Sequence, residues 1–235
     1  MEYQNSVKDY IKRATNIKQM DVNSTVCQML YICFAPQKLA RLTAMRKTAK
    51  NQWARDDPAF VVMLMLGLTV ASFCYALTFN KDGFFGIFRT IFYCVCVYFL
   101  GLGAVISYVN LRIAENHLKE KNSRYSGAAG KLEWLYCFDI HCNSFLPVFL
   151  IVYVLQYFFL PLLVMENFFS VCLANFLVIG SFCYYHYLTC QGFGTLPFLK
   201  NTEIYLAPIL GLIPLGVICI ALRINLTTAI ISMHF

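Results

Sequence analysis

Charge is scarce in this chain. Asp, Glu, Lys and Arg make up only 13% of its 235 residues, against 59% apolar or aromatic and a mean hydropathy of +0.60. Soluble domains average about a quarter charged and about half apolar, so this surplus cannot be hidden inside a water-soluble core of this size. The shortage excludes a soluble single-domain enzyme and a disordered chain, and the composition points to lipid as the solvent.

A sharper absence lies within the sequence. Five stretches carry no Asp, Glu, Lys or Arg at all: approximately Phe60 to Phe79, Thr90 to Leu111, Phe145 to Met165, Phe168 to Leu188 and Ile204 to Leu222. Each is long enough to cross a bilayer core of about 30 Å as a helix, where one mid-span charge costs about 2.5–3.5 kcal/mol. Helices are the open-ended way to satisfy a backbone in hydrocarbon. The expected fold is all-α, a polytopic membrane helical bundle of five transmembrane helices, with a cytosolic N-terminal amphipathic helical segment. The expected domains are residues 1–59 as a cytosolic basic region, 60–224 as the five-span bundle and 225–235 as a short lumenal tail.

The cations sort by side. Ten Lys and Arg precede Phe60, five lie between Arg112 and Lys131, and Lys200 joins them; only Lys81, Arg89 and Arg223 fall on the other side. Sixteen against three places the N-terminus in the cytosol and the C-terminus in the lumen. The net charge of +7 is then topology, and an RNA partner is not needed to account for it. Loops on the lumenal side are too short for a receptor ectodomain. Val26 to Ala35 imitates a signal sequence, but Pro36 spoils its cleavage position, so the first span is the expected insertion signal.

Disulfide chemistry is also unsupported. Of the eleven cysteines, Cys74, Cys94, Cys96, Cys172 and Cys219 lie inside spans, and the other six lie on the cytosolic side or at its border. They read as small fillers or reduced thiols, with acylation open at a border position such as Cys190.

What polar residues there are gather in two places. In the tail, Leu39, Leu42 and Met45 recur every third residue among Lys38, Arg41, Arg46, Lys47 and Lys50, a pattern suited to a helix in the headgroup plane of an anionic cytosolic leaflet. A cytosolic protein could also dock on that face. Trp53 and Arg55 suit the interface, while Asp56 and Asp57 precede Pro58, where Asp57 can cap the first span. An N-cap and a cation partner explain the adjacent carboxylates with less than acid–base chemistry requires.

The second place is Glu133 to Asn143, which runs straight into the third span. Asp139 and Asn143 are four apart and share a helix face, whereas Asp139 and His141 point about 200° apart, against a direct dyad. Cys137, His141 and Cys142 lack the spacing of strong zinc motifs, so no metal and no cofactor is assigned. Arg112 lies on the same side, and Arg112, Asp139, His141 and Asn143 are expected to form a buried polar cluster joining helix ends. Gly103 and Ser107 offer a small-residue face, and Asn175 an interhelical hydrogen bond. Without repeat symmetry or a broken-helix pair, a transporter is disfavoured.

Particular strings carry a resemblance. Gln52 to Phe60 (Q-W-A-R-D-D-P-A-F), Phe138 to Asn143 (F-D-x-H-x-N) and Leu196 to Thr202 (L-P-F-L-K-N-T), with Gln19-Met20-Asp21 and Gln28-Met29-Leu30-Tyr31, resemble the Unc-fifty (uncoordinated-fifty) family of Golgi membrane proteins. The likeness covers nearly the whole chain after the first dozen residues. It implies a non-enzymatic multi-pass protein of the Golgi membrane, with the endoplasmic reticulum or nuclear envelope as further sites, that supports vesicular traffic. The implied partners are a large guanine-nucleotide exchange factor for Arf GTPases and, in animals, nicotinic acetylcholine receptor subunits. It brings no catalytic residues, so Trp53, Arg55, Asp56, Asp57, Lys200 and Asn201 stand as candidates for partner or lipid contact. Two alternatives stay open: an intramembrane chaperone using span faces such as Gly103, Ser107 and Asn175, and a lipid carrier centred on Asp139 and His141.

Overall fold

The computed structural model describes residues 20–50, 52–79, 83–120 and 132–234. Two helices come first, α1 (Val22–Phe34) and α2 (Pro36–Lys50). Five helices long and apolar enough to cross a membrane follow: α3 (Ala59–Phe79), α4 (Gly83–Leu118), α5 (Trp134–Leu163), α6 (Phe168–Gly194) and α7 (Thr202–Ala221). A last helix, α8, spans Leu226–His234. No strand occurs among the described residues.

The helix starts follow local chemistry. Asp21 caps α1, its Oδ1 accepting from the Ser24 N–H at 3.0 Å. Pro36 opens α2, where its missing N–H costs nothing. Asp57 Oδ1 accepts from the Ala59 N–H at 2.9 Å, the cap expected at the first span.

Three of the spanning helices run well past the apolar stretches. The 36 residues of α4 extend about 54 Å, against a hydrocarbon core of about 30 Å. Apolarity marks the part of a helix that suits lipid; backbone hydrogen bonding does not stop at that border, so Arg112–Leu118 and Trp134–Asn143 continue as helix. Wider π turns interrupt the ladders at Tyr93–Gly101, Ala114–Leu118 and Phe149–Leu155. The last follows Pro147, whose ring has no N–H to give and crowds the carbonyl four residues back. Carbonyls loosened this way need donors, and the Tyr75 hydroxyl reaches the Val152 carbonyl at 3.2 Å.

Two compact units emerge. The first takes the chain up to Met65 together with Gly103–Asn143 and Leu188–Thr202; the second takes Leu66–Leu102, Ser144–Tyr187 and Glu203–Phe235. The tail segment before α3 therefore belongs with the start of α3, the end of α4, the start of α5 and the end of α6.

In the second unit the residues after α7 are fastened rather than loose. Asn175 of α6 is buried, its Nδ2 donating to the Ile224 carbonyl at 2.8 Å and its Oδ1 accepting from the Leu226 N–H at 3.1 Å. Asn225 Nδ2 donates to the Leu163 carbonyl at 2.7 Å while its Oδ1 caps α8 at Thr227 and Thr228.

Candidate functional site

The first unit is organised around Arg55, which is 6% exposed. Its backbone N–H donates to Asp139 Oδ2 at 2.6 Å, its Nε donates to Gln28 Oε1 at 3.1 Å, and its Nη2 donates to Asn143 Oδ1. The guanidinium lies over the Phe60 ring, 4.2 Å from its centre. One side chain thus joins α1, the start of α3 and the start of α5. Asp139 and Asn143 meet it together because they stand one turn apart on α5, as their spacing requires. An arginine suits this place because its planar fork presents several donors at fixed angles and stacks on an aromatic face.

A second layer fixes the tail. Asp57 Oδ2 accepts from the Asp21 N–H at 2.8 Å, tying the start of α1 to the cap of α3. Trp53, 4% exposed, packs 6.3 Å from Tyr136 and 6.1 Å from Phe198, with the Lys47 ammonium 5.3 Å above its ring. Arg46 Nη1 donates to the Trp53 carbonyl at 3.4 Å, and burial, with Arg55 nearby, lowers its pKa. Burial raises the pKa of Glu133, against which the charge of Lys47 acts.

Arg46, Arg55, Tyr136, Asp139, Asn143 and Gln191 are among the walls of a cavity of about 30 Å³. That volume admits one or two waters and no lipid headgroup. Arg55 Nη1 and Asp139 Oδ1, both buried and without a protein partner, are the donor and acceptor that such a water would join.

Several expected positions fall elsewhere. Arg112 does not join the cluster: its Nε donates to the Tyr108 hydroxyl at 3.0 Å, and its guanidinium lies 5.2 Å from that ring on an exposed surface. Arg55, 84 residues away from Asp139 in sequence, takes the role assigned to Arg112. His141 is 3% exposed but faces another way, against Gly103, where an added Cβ would fall 2.4 Å from its Nε2. Among the described residues, Asp139 lines the small cavity and His141 is not among its walls. Trp53 and Arg55 are buried, and Arg55 also lines the open cleft at Asp56.

The remaining candidates are at the surface or near it. Lys38 and Arg41 are exposed, and the Lys38 ammonium lies 5.3 Å over the Tyr31 ring. The Lys50 side chain lies outside the described residues, as do residues 121–131 of the loop after Arg112. Lys200 pairs with Glu120 beside a short backbone bridge in which the Lys200 N–H donates to the Leu118 carbonyl at 2.9 Å. Asn201 follows at φ 55°, a left-handed position that Asn tolerates. Asp56 lines an open cleft of about 500 Å³ with Asp21, Gln28, Leu42 and Met45 among its other walls.

The inner face of α2 is Leu39 and Thr43, and Met45 is 58% exposed, so the three-residue stripe does not bury as one face. Sequence reasoning passed over Gln28 and Arg46 as members of the cluster. A polar Gln inside the apolar run of α1 was the available signal for the first.

Among the described residues no three His, Cys, Asp or Glu side chains gather as a metal set. A polar cluster consumed in holding helices together, on five spanning helices, defines a multi-pass α-helical membrane protein. The sequence profile of the UNC-50 family matches residues 10–235, and the chain belongs to that family. It is similar to the protein unc-50 homolog of Dictyostelium discoideum, 40% identical over 233 residues, covering 99% of this chain and 89% of the relative. It is 34% identical over 226 residues to the Homo sapiens protein unc-50 homolog, covering 96% and 85%. The protein GMH1 homolog of Schizosaccharomyces pombe is 36% identical over 198 residues, with 84% of each chain covered. No solved structure matches.

Proposed function

We propose that this is a non-enzymatic protein of the Golgi membrane, N-terminus in the cytosol, that supports vesicular traffic by recruiting a large Arf exchange factor to its N-terminal helices. The observation behind the reading is that α1 is bonded to the start of α3 and of α5 through Arg55, with α2 against the same unit, while Lys38 and Arg41 of α2 stay exposed. A pre-ordered basic helix loses little entropy on binding and steers an acidic partner.

Two other readings have less support. The small-residue face offered to a client helix is already used, since Ser107 is fully buried and Gly103 faces His141. A carrier needs a chamber, and the cavity at Asp139 has room for water only.

The test is Lys38→Glu with Arg41→Glu in cells lacking the native protein, scored by exchange-factor density on Golgi membranes. Loss of the factor with the variant still in the Golgi is expected; unchanged density overturns the reading. Arg46 and Lys47 are unsuitable for this test because they hold Trp53, and reversing them would disturb the unit itself.

A further inference from the structure

The helix that precedes this basic face has an open apolar side although it is too short to span a bilayer. No residue of α1 is charged. Its inner side is Thr25, Gln28 and Ile32, with Thr25 4% and Ile32 0% exposed and Gln28 held by Arg55. Its outer side is a ridge of Val22 (45% exposed), Val26 (40%), Leu30 (52%) and Phe34 (84%). These four are spaced four apart, so on a helix of 3.6 residues per turn they stack with a drift of about 40° per step. Cys27 and Cys33 flank the same sector.

Depth is fixed by the hydrogen bonds already described. Asp57 caps α3 at Ala59 with one carboxylate oxygen and binds the backbone of Asp21 with the other. The start of α1 is thereby held at the first residue of an uncharged span, the level at which hydrocarbon gives way to headgroups. The charges lie one helix further on, at Lys38 and Arg41, both exposed.

We propose that α1 is an in-plane membrane anchor: the Val22, Val26, Leu30 and Phe34 ridge is buried in the acyl-chain edge of an anionic leaflet, and Lys38 and Arg41 engage its headgroups. A ridge of bulky apolar side chains without any charge, beside exposed cations, is complementary to that surface. A soluble partner at this depth would have to displace lipid to reach the ridge. The anchor rests on the reading that this side faces an anionic leaflet, and it gives α2 a fixed height from which to present its basic face.

The test uses the full chain purified without any exchange factor, in nanodiscs of phosphatidylcholine with or without phosphatidylserine. Benzoylphenylalanine replaces Leu30, Phe34 or, on the polar side of the helix, Ser24, and photoadducts are identified by mass spectrometry. Lipid adducts at 30 and 34 several times those at 24 are expected in nanodiscs with phosphatidylserine. Omitting phosphatidylserine, or introducing Lys38→Gln with Arg41→Gln, lowers them. Equal yields at 24 and 34, or adducts at 30 and 34 mainly to a second copy of the chain, overturn the anchor. In native membranes, adducts there to another protein overturn it too. Because no exchange factor is present in the nanodiscs, failure of the lipid adducts leaves the recruitment reading standing, and lipid adducts on the unsubstituted chain are read out whether or not that chain recruits the factor in cells.

Discussion

Arg55 holds the first unit together by making three different hydrogen bonds and a stacking contact at once. Lysine keeps the charge but cannot reach Gln28 and Asn143 together. Arg55→Lys is expected to cost about 3 kcal/mol, the scale of leaving a buried charged group with lost partners. The checking signal is the fluorescence of Trp53, buried against Tyr136 and Phe198, which should shift red at lower temperature, with new protease cuts between α2 and α3. Asn143→Leu removes one neutral acceptor and should cost about 1–2 kcal/mol in the same assay.

Gly103 gives a second residue-scale case. Its Cβ would sit 2.4 Å from His141 Nε2, so Gly103→Ala is expected to cost about 1–3 kcal/mol through overpacking. His141→Ala in the same chain should recover part of that loss, because the ring is the obstacle. Gly180→Ala has open space and serves as the control. The i, i+4 spacing made the shared face of Asp139 and Asn143 legible in sequence; the 200° offset argued against a direct Asp139–His141 dyad, yet His141 was still expected in the same cluster, whereas it packs against Gly103. The arginine that meets them was not legible. Periodicity orders residues on one helix, and nothing in it chooses between Arg112 and Arg55 as the partner from another segment.

At the scale of elements, apolar composition located all five spans but not their ends. Arg112–Leu118 and Trp134–Asn143 stay helical beyond the lipid-suited stretches because tertiary packing in the first unit continues the ladder. The helix α8 was missed altogether, since residues 225–235 read as a short tail. Its cause is Asn225, which spends both ends of its amide: Nδ2 on the Leu163 carbonyl, Oδ1 on the N–H groups of Thr227 and Thr228. Asn225 also opens the sequon Asn225-Leu-Thr. The sequon begins only a few residues past the last uncharged stretch, too near the membrane for glycan transfer, so it should remain unmodified in cells. Glycosidase treatment should leave the mobility of the chain unchanged; a downward shift lost in Asn225→Gln would overturn this. Asn225→Ala should cost about 1 kcal/mol, the usual loss of an N-cap.

For the whole molecule, the charge pattern and the two units bear on the same question of sidedness. The segments of the first unit are the tail, the start of α3, the end of α4, the start of α5 and the end of α6. In a chain that crosses a membrane back and forth, these ends all fall on one side. The sixteen Lys and Arg assigned to the cytosol lie in or beside these same segments, and the three others lie outside them. Alternation along the chain puts these ends on one side, and the cation count is what favours the cytosol as that side. An odd number of spans then puts the two termini in different compartments. In sealed Golgi vesicles, an N-terminal tag should be cut by added protease while a C-terminal tag survives until detergent opens the membrane. Equal sensitivity of the two tags would mean that one of the five helices does not cross. The segment to question first would be α7, because it is the shortest of the five at 20 residues and carries Pro214 inside it. A cysteine placed in the α6–α7 connection and probed with an impermeant maleimide would then decide which side that connection occupies.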